Sequence, residues 1–206
     1  MAILLLIRHG ENDFVGKRLA GHLPDVHLNE KGRHQADALI PILGSQPIRA
    51  IYSSPLERAV ETAEPLANHL GLTIQICDNL AEINFGDWQG CPIDQLRKSK
   101  EWETVQNHPE EMRFPGGESF SEAQMRLVTA VDGIAASHDK KEMVACFSHS
   151  DSIKLLVAHY LGMPLKHFQR LTVDTASISA VYLGVSHPYL LQLNGKDLSV
   201  MPWDES

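Results

Sequence analysis

The chain has 206 residues, 43% of them hydrophobic and 21% charged, and a formal net charge of -8 with its 11 histidines counted as neutral. That length and apolar content suit one domain, residues 1–206, with a buried core, and the acidic balance argues against nucleic acid and membrane surfaces as partners. An anionic substrate therefore needs a local cluster of arginine and histidine to overcome the background field.

Residues 2–7 are a short apolar run closed by Arg8-His9-Gly10, as in a strand covered on both faces. The run lacks a basic leader and is far shorter than the roughly 20 residues of a membrane span. A polar segment follows to Asn29, which caps a helix whose Gln35, Ala38, Leu39, Ile42 and Leu43 recur at helical spacing before Gly44. Residues 50–54 read as the second strand. Ser54-Pro55-Leu56-Glu57 then reads as a capping box opening a helix toward Gly71, with a possible bend at Pro65. Residues 73–77 form a third strand.

Residues 79–118 are irregular, with glycines at 86, 90, 116 and 117 and a short helix after Pro92, so an inserted segment at about 84–118 is expected. Ser119-Phe120-Ser121-Glu122 is a second capping box and opens a helix to Ala136. Residues 142–148 are a fourth strand, 152–161 a helix, and 177–183 and 189–193 further strands. The alternation predicts an α/β fold: three layers, α/β/α, with a mostly parallel central sheet and a cap-like insertion over the strand C-terminal ends. Ligands collect at those ends, and Arg8-His9, residues 53–58 and His149 all fall there.

Phosphoryl transfer without a metal requires fixed cations, a nucleophile that can leave again and an acid for the departing oxygen. Arg8 and Arg58 offer guanidinium forks suited to phosphate. A histidine ring is largely neutral near pH 7, so His9 or His149 can attack phosphorus. Glu82 can supply the proton if burial raises its pKa, although spacing alone favours an exposed loop carboxylate.

Arg8-His9-Gly10-Glu11, Leu28-Asn29-Glu30-Lys31-Gly32 with Gln35-Ala36, Tyr52-Ser53-Ser54-Pro55-Leu56-Glu57-Arg58-Ala59 with Glu61-Thr62-Ala63, and Phe147-Ser148-His149 resemble the histidine phosphatase superfamily in its phosphoglycerate mutase-like branch. The resemblance spans about residues 2–183. It implies His9 as nucleophile, Arg8, Arg58 and His149 as holders of the phosphoryl oxygens, and Glu82 as proton donor. The segment from Glu82 to Gly90 and Pro115-Gly116-Gly117-Glu118-Ser119 resemble further family signatures. Asn12 stands where the family has Ser or Thr, Gly21 and His22 fall by position at the pocket, and Ser150 replaces a common glycine. The family's nearby Asn and Arg have no clear counterpart in this loop.

No cofactor and no metal are expected. His22, His27, His34, His69, His108, His138 and His187 lack partners at metal-ligand spacing and read as surface residues. Trp88 and Trp102 read as packing of the insertion, and Cys146 as a packed strand residue. Cys77, Cys91 and Cys146, an odd number without CxxC spacing, suggest neither a disulfide framework nor a zinc knuckle and fit the cytoplasm. Gly10 to Lys17 fails as a P-loop because Arg18 follows the lysine, and no G-x-S-x-G elbow is present.

The expected function is a metal-independent phosphomonoesterase acting on a small phosphorylated metabolite, with a homodimer as the expected assembly. A mutase is the alternative, disfavoured because Asn84-Phe85-Gly86 stands where the family's mutases carry a longer insertion with a His-Tyr-Gly type segment. A non-catalytic phosphate-binding scaffold is the third reading.

Overall fold

The computed structural model describes residues 2–139, 142–184 and 187–198. Six strands form one sheet: β1 (Ile3–Arg8), β2 (Ile48–Ser53), β3 (Ile74–Ile76), β4 (Met143–Ser148), β5 (Ile178–Leu183) and β6 (Pro188–Gly195), in the order β3-β2-β4-β1-β5-β6. The pairings β3-β2, β2-β4 and β4-β1 are parallel, while β5 and β6 add antiparallel at one edge. The sheet is thus mostly parallel, as expected, with an antiparallel hairpin as its last two strands.

Alternation along the strands produces the three layers. Leu4, Leu6, Val144 and Cys146 face a core completed by α6 (Phe120–Ala136), α7 (Ser150–Tyr160) and residues of the segment 84–118. Ile3, Leu5, Ile7, Ala145 and Phe147 face the other core, closed by Leu39, Leu43, Ala63, Leu66 and Ala67. Those residues come from the region of α1 (Glu30–Asp37), α2 (Ile40–Leu43) and α3 (Glu57–Leu70). Cys146 is fully buried, as its strand position implied.

Local departures have local causes. The helix expected from Asn29 to Gly44 is two helices, since Pro41 lacks the N–H that a continuous helix would donate to the Asp37 carbonyl. Ser54 does not build a capping box: α3 starts at Glu57, and the Ser54 hydroxyl instead meets the His149 ring. The helix after β4 begins two residues earlier than expected, at Ser150, directly behind His149. The segment 84–118 contains α4 (Ile93–Leu96) after Pro92, as read, and a further helix, α5 (Lys100–Asn107), whose N-capping Ser99 side chain accepts from the Trp102 amide. The capping box at Ser119 and Glu122 forms as expected.

Candidate active site

Three neighbouring parallel strands end together. The His9 amide donates to the Ser148 carbonyl at 2.9 Å and the Ser54 amide to the Phe147 carbonyl at 2.9 Å, which locks the first residues beyond β1, β4 and β2 in register. Gly10 follows because a Cβ there would lie 2.6 Å from the Gly32 carbonyl oxygen, and one on Gly32 would lie 2.0 Å from that of Glu11. The two glycine-bearing motifs therefore fit together backbone to backbone. Thr62 Oγ1 accepts from the Gly10 amide at 2.9 Å and Gln35 from the Glu11 amide at 2.8 Å, so these motif residues brace the loop carrying His9.

His9 is 5% exposed, and its Nδ1 lies 2.6 Å from the Gly10 carbonyl oxygen. A carbonyl only accepts, so the neutral ring carries its proton on Nδ1 and presents the Nε2 lone pair. Burial, reinforced by Arg58 and Arg8, holds its pKa well below that of a free histidine. His149 lies beside it, ring centroids 5.2 Å apart, and its pKa is also well below the ordinary value, chiefly through burial and then Arg58. Its Nε2 is 2.7 Å from Ser54 Oγ. That hydroxyl already accepts from the Leu56 amide at 3.3 Å. Assigning its hydrogen to the histidine contact places the ring proton on Nδ1.

Around these rings lie buried donors with nothing to donate to: Arg8 Nε, Arg58 Nε and Nη1, Asn12 Nδ2 and His149 Nδ1. Arg58 is 1% exposed and makes its hydrogen bond with Nη2, to the Gly21 carbonyl at 2.8 Å. Arg8 uses Nη1 on the Val173 carbonyl at 2.7 Å. Desolvation brings the pKa of Arg58 down to about 10 and lowers that of Arg8. A buried guanidinium on Arg58 and a half-buried one on Arg8, both with unmatched N–H groups, cost several kcal/mol unless an anion satisfies them. Asn12 Oδ1 accepts from the Phe14 and Val15 amides, shaping the loop while its amide nitrogen stays unmatched.

Glu82 is 8% exposed rather than the loop carboxylate that spacing alone suggested. Burial and then the Asp151 charge raise its pKa, partly opposed by the Ile83 amide, Arg58 and Ser152. Oε1 accepts from the amides of Ile83 and Ser152 and from Ser152 Oγ at 3.0–3.2 Å, so a proton on this carboxyl belongs on Oε2.

Arg8, His9, Asn12, Gly21, Arg58, Glu82 and Ser150 line one cavity of about 400 Å³. His149 and His22 are not among its lining residues: His149 is fully buried behind it, and His22 Nε2 donates to the Glu82 carbonyl at 2.6 Å. Sequence reasoning missed Phe14, Leu19, Phe85 and Ile93 in the wall, and Arg18 and Lys154, whose charge is joined at 3.1 Å to Asp151. The spacing of Lys154 four residues after Ser150 on one helix was the available signal.

Elsewhere, His138 is half-buried rather than on the surface, its Nδ1 against Glu142. Trp88 stacks on Trp102 as packing. His108, read as lacking metal-ligand partners, has Glu110 and Glu111 nearby, their potential ligand atoms within 4.8 Å in an exposed cluster.

A family profile described as histidine phosphatase superfamily (branch 1) matches residues 4–196. Phosphoserine phosphatase 1 of Hydrogenobacter thermophilus is 28% identical over 94% of this chain and 92% of its own. Glucosyl-3-phosphoglycerate phosphatase of Mycobacterium tuberculosis is 32% identical over 82% of this chain and 79% of its own. A solved mycobacterial glucosyl-3-phosphoglycerate phosphatase in complex with VO3 superposes with a TM-score of 0.85 at 28% identity, covering 94% of this chain and 99% of that one. The chain belongs to the histidine phosphatase superfamily, and so to a class of phosphohydrolase and phosphomutase-like enzymes.

Proposed function

We propose that this chain is a metal-independent phosphomonoesterase that works through a phosphohistidine on His9. The observation that carries the reading is a neutral buried histidine with Nε2 free, ringed by unmatched buried donors and accompanied by a carboxyl whose pKa is raised. The Nε2 lone pair attacks phosphorus and the P–O ester bond breaks. Arg8, Arg58, Asn12 and the His149 ring hold the three oxygens, and Glu82 gives its proton to the departing oxygen, releasing the alcohol. Water then attacks phosphorus, Glu82 takes its proton, the P–N pair returns to Nε2 and inorganic phosphate leaves. The VO3 bound by the solved relative has the oxygen count of the group transferred here.

The substrate in this reading is a small phosphorylated metabolite, its organic part against Phe14, Leu19, Phe85 and Ile93 with Arg18 and Lys154 close by. Gly21 contributes its carbonyl to the orientation of Arg58, and Ser150 borders the phosphoryl site. Residues 1–206 act as one domain, with the insertion at about 84–118 governing which ester enters. A cytoplasmic setting fits three free cysteines, and light scattering tests the expected homodimer. Among the described residues no helix is long and apolar enough to cross a membrane.

Rapid quenching at alkaline pH during turnover of 4-nitrophenyl phosphate should trap one phosphoryl group on His9, and His9→Ala should abolish both the adduct and hydrolysis. Hydrolysis by His9→Ala at the wild-type rate would sink the mechanism. Incubation with 3-phosphoglycerate separates the mutase reading, which requires 2-phosphoglycerate to accumulate in place of free phosphate.

A further inference from the structure

Glu82 lies in irregular backbone, between the 3-10 turn Asp78–Leu80 and the one at Gly86–Trp88, where no helix or sheet ladder fixes its position. An acid that must deliver a proton to one oxygen needs such fixing, since about 1 Å of misplacement can cost roughly 100-fold in rate. Ser148 Oγ donates to the Leu80 carbonyl at 2.7 Å and His22 Nε2 to that of Glu82 at 2.6 Å, and one further side chain spans three carbonyls of the segment. Arg126, on α6, donates from Nη1 to the carbonyls of Asn79 at 2.9 Å and Ala81 at 3.0 Å, and from Nη2 to that of Glu82 at 2.8 Å. The same guanidinium takes both oxygens of Glu118, Nε to Oε2 at 3.1 Å and Nη2 to Oε1 at 2.6 Å. Glu118 carries the hold past the acid: Oε1 accepts from the Asn84 amide at 2.8 Å, and the Glu118 amide donates to the Asn84 carbonyl at 3.0 Å.

The backbone from Asn79 to Asn84 is therefore gripped on both sides of Glu82 by one ion pair, whose side chains are 21% and 17% exposed. Neither member lines the cavity. Close backbone approach seats the pair: a Cβ on Gly117 would lie 2.2 Å from the Asn84 carbonyl oxygen, and one on Gly86 2.0 Å from that of Pro115. A residue that touches the acid's main chain at three carbonyls and the substrate nowhere acts through the acid.

We propose that Arg126 and Glu118 are positioning residues for proton delivery, a role that rests on the reading of Glu82 as the acid. The test is kcat/KM, which reports phosphoryl transfer to the enzyme, on two esters. Glycerol 2-phosphate needs a proton on its departing oxygen, whereas 4-nitrophenyl phosphate releases a weakly basic phenolate that leaves without one. Arg126→Gln and Glu118→Gln should each lose roughly 100-fold on glycerol 2-phosphate and less than about 3-fold on 4-nitrophenyl phosphate. The alkaline limb of the pH profile should also move to lower pH, because a loosened Glu82 is better hydrated. Arg126→Lys should recover part of the loss. If Arg126→Gln does not fold, Glu118→Gln, which keeps an acceptor oxygen, carries the test. Equal losses on both esters with an unmoved alkaline limb, or no loss on either, would overturn the proposal. Glu82→Gln is the benchmark: selective loss there without selectivity in the clamp variants refutes the clamp alone, whereas equal losses in Glu82→Gln itself remove the acid reading and the clamp together.

Discussion

Burial acts in opposite directions on the two groups that would handle the reaction. It pushes His9 toward the neutral, nucleophilic ring and Glu82 toward the protonated acid, so one dry cavity prepares both. In kcat/KM against pH, the acidic limb from His9 should lie below the ordinary histidine range and the alkaline limb from Glu82 above the ordinary carboxylate range. A folded pKa raised above 4.5 means that the ionised carboxyl costs stability as pH rises through that value. Glu82→Gln should therefore melt at a higher temperature than wild type at pH 8, while kcat/KM on an alkyl phosphate falls roughly 100-fold to 1,000-fold and the alkaline limb vanishes. Melting at or below the wild-type temperature would show that the carboxyl is not strained by burial. The histidines and arginines could be picked from the sequence by their chemistry, whereas Glu82, a loop carboxylate by spacing alone, was picked through the family resemblance. The walls escaped notice because Phe14, Leu19 and Phe85 look like any core residues until folding exposes one edge of each to a cavity.

Elements are fixed where local signals agree and drift where a side chain has a second use. The capping box at Ser119 and Glu122 forms because both partners are local. At Ser54 the same pattern fails because His149, 95 positions away, takes the hydroxyl. Glycines divide the same way. Gly133 in α6 has nothing within 4 Å of a built Cβ, so Gly133→Ala should stabilise by about 0.5–1 kcal/mol through helix propensity. A Cβ on Gly32 would lie 2.0 Å from the Glu11 carbonyl oxygen, so Gly32→Ala should destabilise by about 1–3 kcal/mol and lower kcat/KM by displacing the His9 loop. Urea unfolding of the two variants checks both, and a stabilised Gly32→Ala would refute the close fit of the two motifs.

For the whole molecule, two histidines are buried with pKa values well below 6.5. The unfolded chain protonates them first, so this contribution to stability is complete above the unfolded value and is lost as pH falls below about 6.5. His149→Gln, with one such group fewer, should show a shallower fall in its urea midpoint between pH 7.5 and pH 5; a slope equal to wild type would contradict burial of a neutral His149. The sequence by itself determined the three-layer class and a mostly parallel sheet, with strands ending near Ile7, Ser54 and Ser148, since these depend on hydrophobic period, and the candidate residues for moving a phosphoryl group came from side-chain chemistry together with the family resemblance. Only the tertiary structure decided that Glu82 is buried, that His22 and Arg126 hold its backbone, that Arg18 and Lys154 reach the cavity, and that Gly10 and Gly32 meet. Each joins residues distant in the chain, and contacts across such separations follow from how the layers pack, which no local pattern encodes.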